Sequence, residues 1–448
     1  MVEVQEVFGL GANVNSPSYV DRGGLDAAFQ RALRSSRHIA VHGGSKQGKS
    51  WLRLKGLPER ATIHVQCTPG STAESLLSEA LGQVGVGSTL KFSSSRQLEG
   101  TLDISGNVEL GKWLAKAQVE SKLGGAITNI STVESEPIGQ TAADLAWVSS
   151  ILIGSTRRLV FEDFHYVSEQ VQEELAFLMK AMGEYGLYVI VIGVWPTDHM
   201  LTYYNGDLDG RVEDIHLTWN DAELAQVLRQ GADALGAEFS DGLIEAITQD
   251  ASGNVGLVHR LAERICISEG VLATQPGSPA KHRIEVGSSL VTAQREVAEQ
   301  MGSRFQTFAD NFVRGMRRLP KGLEVYKHLL QSVTILPEAD LLGGIDSAAL
   351  LTHMNSIGAT GIRPSDLTQA LDRIDALQAK INVRPPVLTY NKSSRKLSLA
   401  DRAFLFYRRH TTQSWPWASD APEIVNDLAT QEPLDMDWGP GFDAPGNS

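Results

Sequence analysis

Gly43-Gly44-Ser45-Lys46-Gln47-Gly48-Lys49-Ser50 decides how this chain is read. Its spacing, G-x-x-x-x-G-K-[ST], is that of a phosphate-binding loop. The residues before it, His38-Ile39-Ala40-Val41-His42, are mostly apolar, as in a short buried strand. Those after it, Trp51-Leu52-Arg53-Leu54-Lys55, can continue as a helix. A strand before and a helix after is the context the motif requires.

Glycines let such a loop wrap closely around phosphate oxygens with its backbone N–H groups turned inward. The N-terminus of the following helix adds partial positive charge. Lys49 is expected to reach the β- and γ-phosphates of a nucleotide, and the Ser50 hydroxyl to ligate Mg²⁺.

The 448 residues suffice for about three domains. A hydrophobic share of 42% and a charged share of 21% describe a soluble, globular chain. No apolar run approaches the ~20 residues of a membrane helix, so no membrane partner is expected. The acidic start, Met1-Val2-Glu3-Val4-Gln5-Glu6, lacks a signal-peptide pattern. Cys67 and Cys266 lie far apart without metal-ligand spacing, which points to the reducing cytoplasm. The net charge of −13 is uneven: residues 312–410 carry +7 and residues 411–448 carry −7. A basic segment between acidic ones implies an anionic partner, or contact with the acidic parts of the same chain.

In chain order, residues 1–17 read as a loose lead-in and 18–218 as the nucleotide-binding core. Residues 61–67 alternate as a strand does, and 71–84 have helical spacing. Residues 87–140 break the pattern. They are rich in Gly, Ser and Thr and alternate apolar with polar residues, which predicts a β-rich insertion with breaks at Ser105-Gly106-Asn107 and Gly124-Gly125. Arg157 to Phe161 then reads as a buried strand ending in two carboxylates, Glu162 and Asp163. By geometry either one could face Mg²⁺ or activate water. Leu187 to Val194 is a continuous apolar run that suits a central parallel strand. Residues 219–272 are helical, 273–311 a linker and a helix. Residues 312–410 read as three helices (322–333, 346–357, 364–381), a basic hairpin and an aromatic closing helix, the pattern of a winged helix. The acidic tail 411–448 is expected to be disordered.

Together these features resemble the AAA+/STAND P-loop ATPases of the origin-initiator type, over roughly residues 15–410 without the insertion. The resemblance implies an α/β P-loop NTPase fold with a parallel sheet, a helical lid at 219–272 and a C-terminal winged helix. It implies ATP and Mg²⁺ as cofactors, slow or activated ATP hydrolysis, and a homo-oligomer in the ATP state. Val20 and Arg22 match an element that packs near the adenine in that family. In register, Glu162 takes the Mg²⁺ side and Asp163 the water-activating position, an inversion of the usual Asp-Glu order. Thr197 or Asp198 stands where a γ-phosphate reader is common. Arg211, just before the last core strand, matches the arginine finger that acts in a neighbour's site. His259 or Arg260 falls at a second nucleotide sensor, with Arg264 one turn on; Arg260 is taken for that role. Lys392, Arg395 and Lys396 on the hairpin are the expected contacts to double-stranded DNA. The alternative is a regulatory scaffold in which the winged helix clamps the ATPase and a separate effector protein acts.

Overall fold

A computed structural model describes residues 1–11, 17–91, 99–103, 144–195, 199–274, 281–314, 323–359, 361–381, 383, 385–392 and 394–418. Among the described residues seven strands precede residue 218: β1 (His38–Gly43), β2 (Thr62–Gln66), β3 (Gly87–Lys91), β4 (Glu99–Asp103), β5 (Arg158–Glu162), β6 (Ile190–Ile192) and β7 (Val212–Leu217). Five of them form one parallel sheet in the order β2-β5-β6-β1-β7. Every residue of β1 is buried, including His38 and His42 on the Ala40 face. The phosphate loop leaves the C-terminal end of β1, and the carboxylate pair leaves the same end of β5. β6 separates them by one strand, so both motifs open onto one crevice at the carboxyl edge, where open α/β sheets bind ligands. β6 is shorter than the apolar run 187–194.

Helix Glu169–Glu184 buries Leu175, Ala176, Met179 and Met182 on one sheet face, and Leu25–Arg34 buries Phe29 and Ala32 on the other. In 87–140, β3 and β4 pair antiparallel. The rest of that predicted insertion lies outside the described residues, as do Thr197 and Asp198.

Beyond the sheet, helices Asp221–Ala234, Asp241–Ala251 and Val255–Ser268 pack with a 27-residue helix, Ser288–Arg314. β8 (Ala237–Phe239) pairs parallel with β9 (His282–Ile284), so part of the expected linker is sheet. The C-terminal module has helices Leu323–Ile335, Ser347–Ser356 and Pro364–Asp372. Its three-stranded sheet runs β10 (Ile345–Asp346), β12 (Lys396–Leu399), β11 (Leu388–Asn391). The expected third helix breaks at Arg373 and restarts as Ile374–Lys380. Buried Gln378 accounts for the restart. Its side chain accepts from the Val387 and Leu388 N–H groups and donates to the Leu388 carbonyl, tying this turn to β11.

One continuous hydrophobic core runs from Val4 through these helices to Tyr407. Phe305, Phe308 and Phe312, at helical spacing, meet Phe404, Tyr407 and Tyr326 there. Two expectations are thereby corrected. Part of the lead-in is folded: helix Val4–Phe8 buries Val4, Val7 and Phe8, and Val4 N–H donates to Leu272 O (2.9 Å). Its five residues are too few to show a helical period. The tail begins ordered, with Trp415 packed on Phe404 and Tyr407 and stacked on Trp417. Residues 419–448 lie outside the described residues. Among the described residues no helix is long and apolar enough to cross a membrane. Cys67 and Cys266 are buried free thiols, pushed up to about 12 by burial.

Phe8 is seated by a glycine. A Cβ on Gly231 would fall on the Phe8 ring. Gly231→Ala should therefore destabilise the helical layer by about 1–3 kcal/mol, measured as a lower denaturant midpoint. An unchanged midpoint would show that the N-terminal helix is not held there.

Candidate nucleotide-binding site

The loop holds its shape through backbone that side chains avoid. Gly43 (φ 137°) lies so close to Leu217 that a Cβ would strike its carbonyl oxygen, and Gly48 (φ 83°) makes the left-handed turn into helix Lys49–Gly56. Lys49 is the first residue of that helix and is buried; its Nζ donates to Gly44 O (2.6 Å) and lies 3.4 Å from Gly43 O. Burial pushes its ammonium down to about 8 against the pull of Asp163 and Glu162.

Ser50 Oγ donates to Glu162 Oε1. The other Glu162 oxygen faces His64 Nε2 (3.3 Å) and Arg53 Nη2 (3.5 Å). Burial works to raise this carboxyl, but the close approach of His64, the hydrogen bond from Ser50 and the Arg53 charge outweigh it and hold Glu162 below its usual range. An ionised carboxylate beside a hydroxyl is a hard-oxygen pair that fits Mg²⁺, which uses one or two carboxylates with phosphates and water. Asp163 differs. Its backbone is left-handed (φ 56°), and its Oδ2 accepts from Gln66 Nε2 (2.7 Å). Burial raises its pKa and Glu162 adds to the push, while Gln66 and Lys49 oppose it. Two adjacent carboxyls shifted in opposite directions are suited to different tasks.

Lys49, Ser50, Arg53, His64, Gln66, Glu162 and Asp163 line one cavity of about 670 Å³. Ser45, Lys46, Gln47, Gly48, Lys49 and Ser50 form its floor, with Glu162, Asp163 and His165 on one wall. Val20, Trp51, Val255 and His259 surround a more apolar end. Arg22 lines the cavity but works as a buttress. Its Nη1 donates to Gln47 O (3.2 Å) and lies 3.5 Å from Thr218 O; its guanidinium sits 4.0 Å from the Trp219 ring centroid. Arg260 is not in the lining; its Nη2 donates to Gln300 Oε1 (2.8 Å), and His259, one residue earlier, faces the cavity instead. Helical geometry explains this, because successive residues point about 100° apart. Arg264 pairs with Glu296 (3.7 Å). Arg211 stands at the opposite end of the sheet from its own loop, half-exposed and paired with Glu184 (2.8 Å). On the hairpin, Lys392 is 3.4 Å from Glu169, while Arg395 and Lys396 are exposed.

Sequence reading missed Gln66, His64 and Arg53. Gln66 pairs in register with Glu162 across β2 and β5, so its role is legible only once the strand order is known.

No family model matches the sequence, and no curated protein matches it. Its structure is similar to a Walker-type ATPase of Pyrococcus abyssi, with a TM-score of 0.52 at 15% identity over 90% of this chain and 99% of that one. The fold is that of a Walker-type ATPase. Other similar structures are the Orc1 protein of Aeropyrum pernix in complex with DNA (TM-score 0.39, 11% identity, 91% and 95% covered) and Cdc6p of Pyrobaculum aerophilum (0.35, 12%, 90% and 97%). The two acids are separable by experiment. Asp163→Asn should keep ATP·Mg²⁺ binding but lower turnover by about 10²-fold or more, whereas Glu162→Gln should weaken the Mg²⁺ dependence. Steady-state ATPase assays with Mg²⁺ titration decide. Loss of turnover in Glu162→Gln at unchanged Mg²⁺ affinity would reverse the assignment.

Proposed function

We propose that the chain is an ATP-binding, slowly hydrolysing nucleotide switch of the AAA+/STAND kind, and that its winged helix is the switched element. The observation that carries this is a backbone hydrogen bond. Ser45 N–H, one of the loop's phosphate-facing donors, donates to Ala400 O at the end of β12 (3.2 Å). The C-terminal module thus occupies a donor that a phosphate would use. Further contacts hold it there: Lys392 to Glu169, Arg402 Nη1 to Ser252 O (3.3 Å), and Arg409 to Asp250 Oδ1 (3.0 Å). Because the helical lid and the winged helix share one core, entry of a triphosphate would shift them together.

In this reading Lys49 and the loop amides bind the phosphates, and Ser50 and Glu162 would hold Mg²⁺, which neutralises charge on the β- and γ-oxygens. Asp163, kept in place by Gln66, accepts a proton from the attacking water. Slow turnover follows from the short Asp side chain and its hydrogen bond to Gln66. Assembly in the triphosphate state, with half-exposed Arg211 reaching a neighbour's site, belongs to the same proposal.

Once released, the hairpin presents Lys392, Arg395 and Lys396 to duplex DNA. The two short helices 364–372 and 374–380 and the turn between them offer little readout, since Arg373 and Lys380 are offset by Asp366, Asp372 and Asp375. Binding should be weak, unselective in sequence and stronger with a non-hydrolysable ATP analogue. The second reading, a scaffold for a separate effector protein, is favoured by the Lys392–Glu169 pair, which spends one hairpin cation on the protein itself. Replacing all three cations by Ala separates the two. For DNA, the slope of log K against log salt should flatten by up to ~3 units. For the scaffold, the same triple variant should raise basal ATPase activity or oligomer formation without any DNA effect.

A further inference from the structure

The cavity wall holds a donor that none of the roles above uses. Asp163 turns the chain through left-handed backbone into the short helical turn Phe164–Tyr166. Phe164 goes into the core and His165 faces the cavity. The His165 ring packs against Tyr166 with centroids 4.1 Å apart, and its Nδ1 accepts from the Val194 N–H (3.2 Å), just beyond β6. Burial, with the charge of Lys49, pushes the ring down to about 3, so it is neutral. A neutral imidazole that accepts at Nδ1 carries its proton on Nε2. That Nε2 is buried and has no hydrogen-bond partner among the described residues. A buried donor without an acceptor is costly, and natural sites retain one where a ligand completes it.

Its position says which ligand atom. Lys49, expected at the β- and γ-phosphates, lines the same cavity, and Asp163 is two residues away on the same wall. We propose that His165 donates from Nε2 to an oxygen of the terminal phosphate, so that the site distinguishes a nucleoside triphosphate from a diphosphate. The proposal rests on the nucleotide-site reading. It gives the site a neutral donor fixed by β6, which reports the γ-phosphate to the strand between the loop and the carboxylates. A neutral donor suits this place, because Lys49, Arg53 and Arg22 already supply positive charge around the cavity.

The test uses the full chain with Mg²⁺, ADP and a non-hydrolysable ATP analogue. His165→Phe keeps a ring and removes the donor; His165→Gln returns an N–H near the Nε2 position. In His165→Phe the analogue should bind about tenfold more weakly or worse, and ADP within about twofold of wild type. His165→Gln should regain most of the triphosphate preference, which a merely structural role would not produce. An equal loss for both nucleotides, or an unchanged ratio in His165→Phe, overturns the proposal alone. A wild-type protein that binds neither nucleotide overturns the site reading with it. If His165→Phe does not fold, the His165→Gln ratio decides: a preference for the analogue lost in full overturns the proposal, and one largely kept supports it.

Discussion

A buried ammonium with no carboxylate in direct contact among the described residues constrains everything around it. Lys49 is held by the carbonyl oxygens of its own loop, Gly44 and Gly43, inside a cavity whose nearest opposite charges belong to the strand after next. Removing a cation from water without a partner is expensive, and the fold meets that cost in three ways. Loop glycines bring carbonyls to it, the sheet order brings Glu162 and Asp163 to its side, and the space in front is left for an anion. The strand order β2-β5-β6-β1-β7, the left-handed Gly48 and the carboxylate pair all serve that one group.

How much of this the sequence discloses depends on how local the cause is. The loop and its flanking strand and helix are legible because glycine positions and an apolar run are local signals. So are the helices at 221–234, 241–251 and 255–268, each with an apolar stripe and an Asn or Ser cap. The N-terminal helix is not, because its five residues are too few to show a period and the space for Phe8 is left by Gly231, far away in sequence. Arg260 illustrates another limit. Family register brings the right turn of helix to the cavity, yet a shift of one residue decides that His259 faces inward and Arg260 faces Gln300. Gln66 and His165 were invisible for a third reason: their roles arise from strand pairing and from a backbone N–H, neither of which leaves a residue pattern.

The C-terminal module shows how a charge reading and a structural reading combine. Its basic balance favours an anionic partner, and the structure already supplies one in Glu169. Its hydrogen bond to the loop, however, is uncharged: the Ala400 carbonyl on the Ser45 amide. A neutral backbone contact competes poorly with a phosphate for the same N–H, since charge-assisted hydrogen bonds are about twice as strong. That difference gives the proposed switch its direction, because the ligand's charge can replace the docked carbonyl.

The most direct test of the central claim is a calorimetric titration of the full chain with ATP and Mg²⁺, beside Lys49→Ala. The account predicts one ATP bound per chain and an affinity lowered by about 2–5 kcal/mol in the variant, because the phosphates lose their buried partner. Equal affinity in both proteins, or no binding by the wild type, would contradict it.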